Sequence, residues 1–213
     1  MIRRERPALG NKRVVVDCKD ALLGKVAARV AKHLLEGVSV DLVRCEDILI
    51  TGKVHRNYLK FQSYLNKHVS TNHRRGPFHH RSPSAIVKKT VRGMLPRKTF
   101  RGQEALKRLR CYEGIPEQRV GQKSRCYIPE ASKHYVCKTK KFTHLGTLSQ
   151  RFGWKYSGVV KSLEKKRKVL RVVKETQKNN SNQITKKAKK NVKQDIASIE
   201  QKMMKYCLPE LAL

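Results

Sequence analysis

The chain has 213 residues, room for one large domain or for a domain of about 150 residues with an extension. Its 50 Lys and Arg against 16 Asp and Glu give a formal net charge of +34, at which an isolated compact chain repels itself unless a polyanion neutralises it. That excess argues against most classes of soluble enzyme, and a hydrophobic content of 38% gathered into patterned runs predicts a core over only part of the length.

The start, Met-Ile-Arg-Arg-Glu-Arg-Pro, lacks the apolar stretch of a secretory signal. No window approaches the roughly 18 apolar residues of a membrane span, so no membrane partner is expected. Val14-Val15-Val16 then reads as a buried strand feeding a helix capped by Asp20. Leu22, Val26, Val30 and Leu34, flanked by Leu23, Ala27, Ala31 and Leu35, form the apolar stripe of that helix, which stops at Gly37. Apolar runs at Val40–Val43 and Ile48–Ile50 follow, the opening of a βαβ unit and of a largely parallel sheet. A second helix opens at Gly52, with Val54, Tyr58, Phe61 and Leu65 on one face and Lys53, Arg56, Lys60 and Lys67 on others. Ser82-Pro83 starts a third helix carrying Ile86, Val87, Val91, Met94 and Leu95 and ending before Pro96. A short helix over Gly102–Leu109 turns into a strand at Leu109–Tyr112.

The spacing then suggests a compact core over residues 1–116, an irregular basic segment over 117–146, and a helical extension over 147–213. In the extension, Leu148 to Val173 and Ile184 to Met203 mark two helices separated by a break at Asn179-Asn180-Ser181-Asn182. Both are too thinly apolar to build their own core, so they are expected to pack on the main domain, on RNA or on a neighbouring protein.

The organising stretch lies between Asn72 and Arg101. No Asp or Glu occurs between Ile48 and Gln103. That span supplies the candidate RNA-binding residues Lys53, Arg56, Lys60, Arg74, Arg75, His79, His80, Arg81, Lys88, Lys89, Arg92, Arg97, Lys98 and Arg101. Arg offers two hydrogen bonds to a phosphate in fork geometry, and Lys acts as a point charge. The helix N-terminus behind Ser82-Pro83 is a further natural phosphate seat. Phe78 either stacks on a base or plugs the loop into the core, and the second is favoured. With 6% aromatic residues and no aromatic RNA-reading strand, recognition of folded RNA by shape and backbone is expected.

Catalytic motifs are missing. Gly24-Lys25 and Gly52-Lys53 lack the rest of a phosphate-binding loop, and no nucleophile elbow or zinc-protease helix occurs. His68, His73, His79 and His80 invite the reading of a metal-free ribonuclease, but no nearby carboxylate orients them, and binding is preferred. Cys18, Cys45, Cys111, Cys126, Cys137 and Cys207 show no metal-ligand spacing. Reduced thiols without metal, cofactor or small-molecule substrate are expected, in a cytosolic or nuclear setting.

Val91-Arg92-Gly93-Met94-Leu95-Pro96, the segment from Asp17 through Leu22-Leu23-Gly24-Lys25-Val26-Ala27, and Leu109-Arg110-Cys111-Tyr112-Glu113-Gly114-Ile115-Pro116 resemble the universal L13 family of large-subunit ribosomal proteins. The loop from Arg75 to Ser84 and Phe152-Gly153-Trp154-Lys155 are similar to its archaeal–eukaryotic branch, and the tail beyond about residue 160 to the extension of eukaryotic cytosolic members. The resemblance implies an α/β fold, a three-layer α/β/α domain with a mostly parallel sheet, plus the long C-terminal helical extension. It implies a non-catalytic structural constituent of the cytosolic large subunit that binds and stabilises ribosomal RNA during assembly and translation. Neighbouring large-subunit proteins would be met through the C-terminal helices, and assembly would take the protein through the nucleus and nucleolus; Lys186-Lys187-Ala188-Lys189-Lys190 suits import. The competing expectation is a regulatory RNA-binding protein that represses particular messages off the ribosome.

Overall fold

The computed structural model describes residues 13–116, 124–136 and 139–207. The readings made on Met1–Pro7, on the first residues of the 117–146 segment and on the helix end at Pro209 lie outside the described residues.

The β-branched run becomes strand β1 (Arg13–Asp17), followed by α1 (Leu23–Leu35) and β2 (Ser39–Val43). β1 and β2 pair in parallel, with Val14 opposite Val40 and Val16 opposite Leu42. That register brings Val16, Val40 and Leu42 into one core cluster with the stripe Val26, Ala27, Val30, Ala31 and Leu34 of α1, while Val15, pointing to the other face of the sheet, is buried too. β3 (Leu49–Thr51), α2 (Val54–Leu65), α3 (Pro83–Gly93), α4 (Phe100–Lys107) and β4 (Leu109–Cys111) come next in the chain. β5 (Arg125–Cys126), β6 (Phe142–His144), α5 (Leu145–Arg151) and α6 (Ser157–Cys207) complete it. The main sheet is parallel throughout, in the order β4-β2-β1-β5, and β3 pairs antiparallel with β6. The α/β class with a mostly parallel sheet and a long C-terminal helix is therefore present.

Several local expectations are corrected. Asp20 does not cap α1; it has φ 54, and its backbone N–H bonds to Asp47 O at 3.2 Å while its carboxylate meets Lys133 at 3.5 Å. Tertiary partners thus claim the residue, and Leu22 takes the cap position without a side-chain bond. The segment 117–146 is less irregular than its weak periodicity suggests. β5 adds to the main sheet beside β1, and β6 closes on β3, with Thr143 buried. Strands of two or three residues are too short to show a period.

In Val91–Pro96, Val91 and Leu95 are buried, but Met94 is exposed and nothing lies within 4 Å of a Cβ placed on Gly93. A close backbone approach falls at Gly102, where an added Cβ would overlap the Pro96 carbonyl. Only a residue without a side chain lets the first turn of α4 lie on the Pro96 turn.

The tail also differs. The first break comes at Phe152–Gly153, where Gly153 adopts φ +87 after α5. α6 then runs unbroken through Asn179-Asn180-Ser181-Asn182. Asn and Ser cost a helix only a few tenths of a kcal/mol each. Here Ser181 Oγ donates to the Lys178 carbonyl at 3.0 Å and Thr185 Oγ1 to that of Ser181 at 2.8 Å, so the polar side chains bond within the helix. The chain divides into two compact units at Leu163 and Glu164, within α6.

At the carboxyl ends of β1, β2 and β4 lie Cys18, Cys45 and Cys111. Hydrogen bonding to the Cys111 and Cys18 thiols, together with burial, pushes the Cys45 thiol well above its usual range. Among the described residues no group of three His, Cys, Asp or Glu side chains is placed to hold a metal, and no helix is long and apolar enough to cross a membrane.

The core can be probed at two points. Leu95→Ala removes a side chain only 6% exposed and is expected to cost about 2–5 kcal/mol in urea denaturation. An unchanged midpoint would contradict the placement of α3. On brief alkylation of the native protein at mildly alkaline pH, with sites mapped by mass spectrometry, exposed Cys126 should react and buried Cys45 should not.

Candidate nucleic-acid interface

The basic stretch is carried by α2, α3, α4 and the loop from Asn66 to Ser82. A column of rings ties α2 and the loop to the chain just beyond α5. Tyr58 stacks on Phe152 at 4.7 Å between centroids, Phe61 meets Phe152 at 4.6 Å and Tyr64 at 5.6 Å. His79 then meets Tyr64 edge-on at 4.4 Å. The expected apolar stripe of α2 thus has its partner just beyond α5, and Tyr64, outside that stripe, carries the column into the basic loop.

Lys89 of α3 joins there. Its ammonium sits 4.4 Å from the Tyr64 ring centre, donates to the Tyr64 hydroxyl, and reaches the Phe78 carbonyl at 3.4 Å. The Tyr64 hydroxyl donates to that same carbonyl at 3.3 Å. His79 Nε2 donates to the Lys67 carbonyl at 2.8 Å. The loop main chain is held by side chains from two helices, and His79 and Lys89 are both engaged in holding it. Engaged in this way, His79 is poorly placed to act as a general base. Phe78 is 69% exposed, so the expectation that it plugs the core is corrected: Tyr64 and His79 fill that role.

The helix N-terminus behind Ser82-Pro83 is corrected as well. Ser84 donates its hydroxyl to Glu113 Oε1 at 2.8 Å and its N–H to the same oxygen at 3.4 Å. A carboxylate already occupies the expected phosphate seat, favoured there by the helix dipole. Residues 29 apart in sequence meet at this point, and no local pattern signals it.

The remaining cations stay on the surface. Lys53 and Arg56 stand at the start of α2 and Lys60 in its middle, Arg74, Arg75, His80 and Arg81 in the loop, Lys88 and Arg92 on α3, and all are exposed. Arg97, Lys98 and Arg101 follow in the α3–α4 turn and on α4, also exposed. Arg92, Arg97 and Lys98 are brought together around a concavity of about 350 Å³, floored by Leu95 and Leu106 and edged by Gly102 and Gln103. Arg101 turns away toward the Leu35 carbonyl, 3.5 Å off at the end of α1.

None of these candidate residues forms an ion pair with a described acid, whereas acids elsewhere are matched: Asp17 with Arg44, Glu130 with Arg29, Asp20 with Lys133. Glu104, the first acid after the basic run, is taken by Lys107 at 2.8 Å, which holds its carboxyl below the usual range. Cations left without internal partners form a surface whose field has no local counterweight.

The profile of the family described as ribosomal protein L13 matches residues 11–118. The large ribosomal subunit protein uL13 of Spodoptera frugiperda is 51% identical over 160 residues, which is 75% of this chain and 78% of the relative. That of Caenorhabditis elegans is 44% identical over 192 residues, 90% of this chain and 95% of the relative. The Drosophila melanogaster protein of the same name is 45% identical over 188 residues, 86% and 90% of the two chains.

Lys89→Ala should loosen the loop without unfolding the domain. Removing hydrogen bonds worth about 0.5–1.5 kcal/mol predicts roughly twofold to tenfold faster trypsin cleavage at Arg74 and Arg75, with the thermal midpoint little changed. Cleavage at the wild-type rate would show that Lys89 does not hold the loop.

Proposed function

The chain belongs to the ribosomal protein L13 family, and on that premise we propose that it is a structural constituent of the large subunit of the cytosolic ribosome, where it binds and stabilises folded ribosomal RNA. The observation that carries this reading is the acid-free surface between Ile48 and Gln103, whose cations have no described acid as partner. Phosphates are their complement. Each phosphate neutralised releases condensed counterions, and that release drives binding. Arg74, Arg75 and Arg81 would grip phosphates in fork geometry, Lys53, Lys60, Lys88 and Lys98 would supply field, and Arg56, Arg92, Arg97 and His80 would extend the contact along the backbone. His79 and Lys89 contribute by shaping the loop. Because the helices and the pinned loop fix these groups before RNA arrives, little ordering entropy is lost on binding. The role is scaffolding, and no catalytic step is assigned to it.

The C-terminal helix serves a second contact. Ile184, Val192, Ile196, Ile199 and Met203 recur at helical spacing along α6 and are exposed. Such a stripe, set among lysines, fits a neighbouring large-subunit protein on its apolar side and RNA phosphates on the other. Lys186, Lys187, Lys189 and Lys190 are exposed on the same helix and available to an import receptor, consistent with assembly in the nucleolus before work in the cytosol. The alternative, repression of particular messages off the ribosome, gains no support from the site or the relatives.

Arg74→Ala combined with Arg75→Ala is expected to weaken binding to purified large-subunit ribosomal RNA and to flatten its dependence on salt. The slope of log affinity against log salt should fall by roughly 0.7–0.9 for every phosphate the variant no longer neutralises. An unchanged slope would move the phosphate-binding surface away from the loop.

A further inference from the structure

Resting on the reading that this chain binds ribosomal RNA, we propose that the Phe78 ring is a stacking platform for one unpaired base of that RNA. The ring is 69% exposed, although Tyr58, Phe61, Tyr64 and Phe152, which lie close by in the fold, are half-buried against one another. Its neighbours in the chain are Arg74, Arg75, His80 and Arg81, exposed and without ion pairs to described acids. An apolar ring among cations is a poor surface for a protein core to meet. It is a good one for a base whose flanking phosphates those cations hold.

The ring is exposed on a fixed support rather than a loose one. The Phe78 carbonyl accepts from Tyr64 at 3.3 Å and from Lys89 at 3.4 Å, and the next residue, His79, is anchored by its contacts with Tyr64 and Lys67. On the other side the loop tucks against Val69, close enough that a Cβ on Gly76 would lie 2.5 Å from a Val69 methyl. Hydrogen bonds and packing therefore hold the main chain on both sides of an exposed ring, the preorganisation a stacking group needs. Every base has a π face, so the platform tolerates any sequence and adds a base contact to a surface that otherwise reads shape and phosphate. A duplex keeps its bases stacked inside and offers none to the ring.

The test uses the full chain and two probes: a short single-stranded RNA carrying one 2-aminopurine, and a fully paired RNA of the same length. Wild type and Phe78→Tyr should quench the 2-aminopurine fluorescence on binding. Phe78→Leu should abolish the quench and bind the single strand about 5- to 150-fold more weakly, the equivalent of one base stack. Its affinity for the duplex and its salt slope should stay as in wild type, because every cation that meets a phosphate is still present. Equal quenching and affinity in Phe78→Leu with the salt slope intact would overturn the platform and leave the basic face standing. Equal weakening on both probes would overturn it too, by giving the ring a role in shaping the loop. A wild-type protein whose binding ignores salt would overturn the RNA-binding reading itself.

Discussion

The structure depends on holding many exposed positive charges on α2, α3, α4 and the loop before α3 without described acids paired to them. Such a surface is unfavourable in the free chain, because like charges close together repel through water and through the protein. The stability must come from elsewhere. It comes from a compact parallel sheet, β4-β2-β1-β5, whose Val and Leu side chains are buried under α1, and from Val87 and Val91 of α3, Leu95 just after it and Ala105 of α4, which close the same core. The basic face is in this sense a load carried by a core that takes no part in it.

The disposition of acids follows the same logic. Asp17, at the end of β1, binds the guanidinium of Arg44, whose φ of 56 turns the chain out of β2, and Glu130 fastens the later segment to Arg29 of α1. Glu113 satisfies the first turn of α3. These acids serve architecture, and each draws a cation or a helix end outside the set of exposed cations on α2, α3, α4 and the loop. What remains unpaired is what RNA would neutralise. The face is held in shape largely by aromatic contacts, through Phe152, Tyr58, Phe61, Tyr64 and His79, which salt does not screen. Its geometry is therefore expected to survive conditions that weaken its charge.

Much of this is legible in the sequence. The period of four from Leu22 to Leu34 and the β-branched run at Val14 specify a helix against a strand, because a long stripe has room to repeat. The acid-free span is visible as composition, and it is a surface because its cations fall on helices and a loop whose other faces are apolar. The rest is hidden for physical reasons. Asp20 has a good capping side chain, but Lys133 draws its carboxylate and the Asp47 carbonyl takes its backbone N–H, both from distant parts of the chain. β5 and β6 are too short for periodicity, and sheet pairing alone makes them strands. Glu113 at the start of α3 and Phe152 against Tyr58 are meetings of residues far apart in sequence, and nothing local announces them. Phe78 misleads because an aromatic beside Gly-Pro reads as a plug, while its immediate neighbour His79 takes the inward position.

The most direct test of the central claim is sedimentation of the cellular protein through a sucrose gradient in high salt. Proteins held by charge alone are stripped under those conditions, since affinity falls steeply as salt rises. A protein built into the subunit should stay with the large subunit at one copy per particle. Release to the top of the gradient would contradict the account and leave a basic protein that only adheres to RNA.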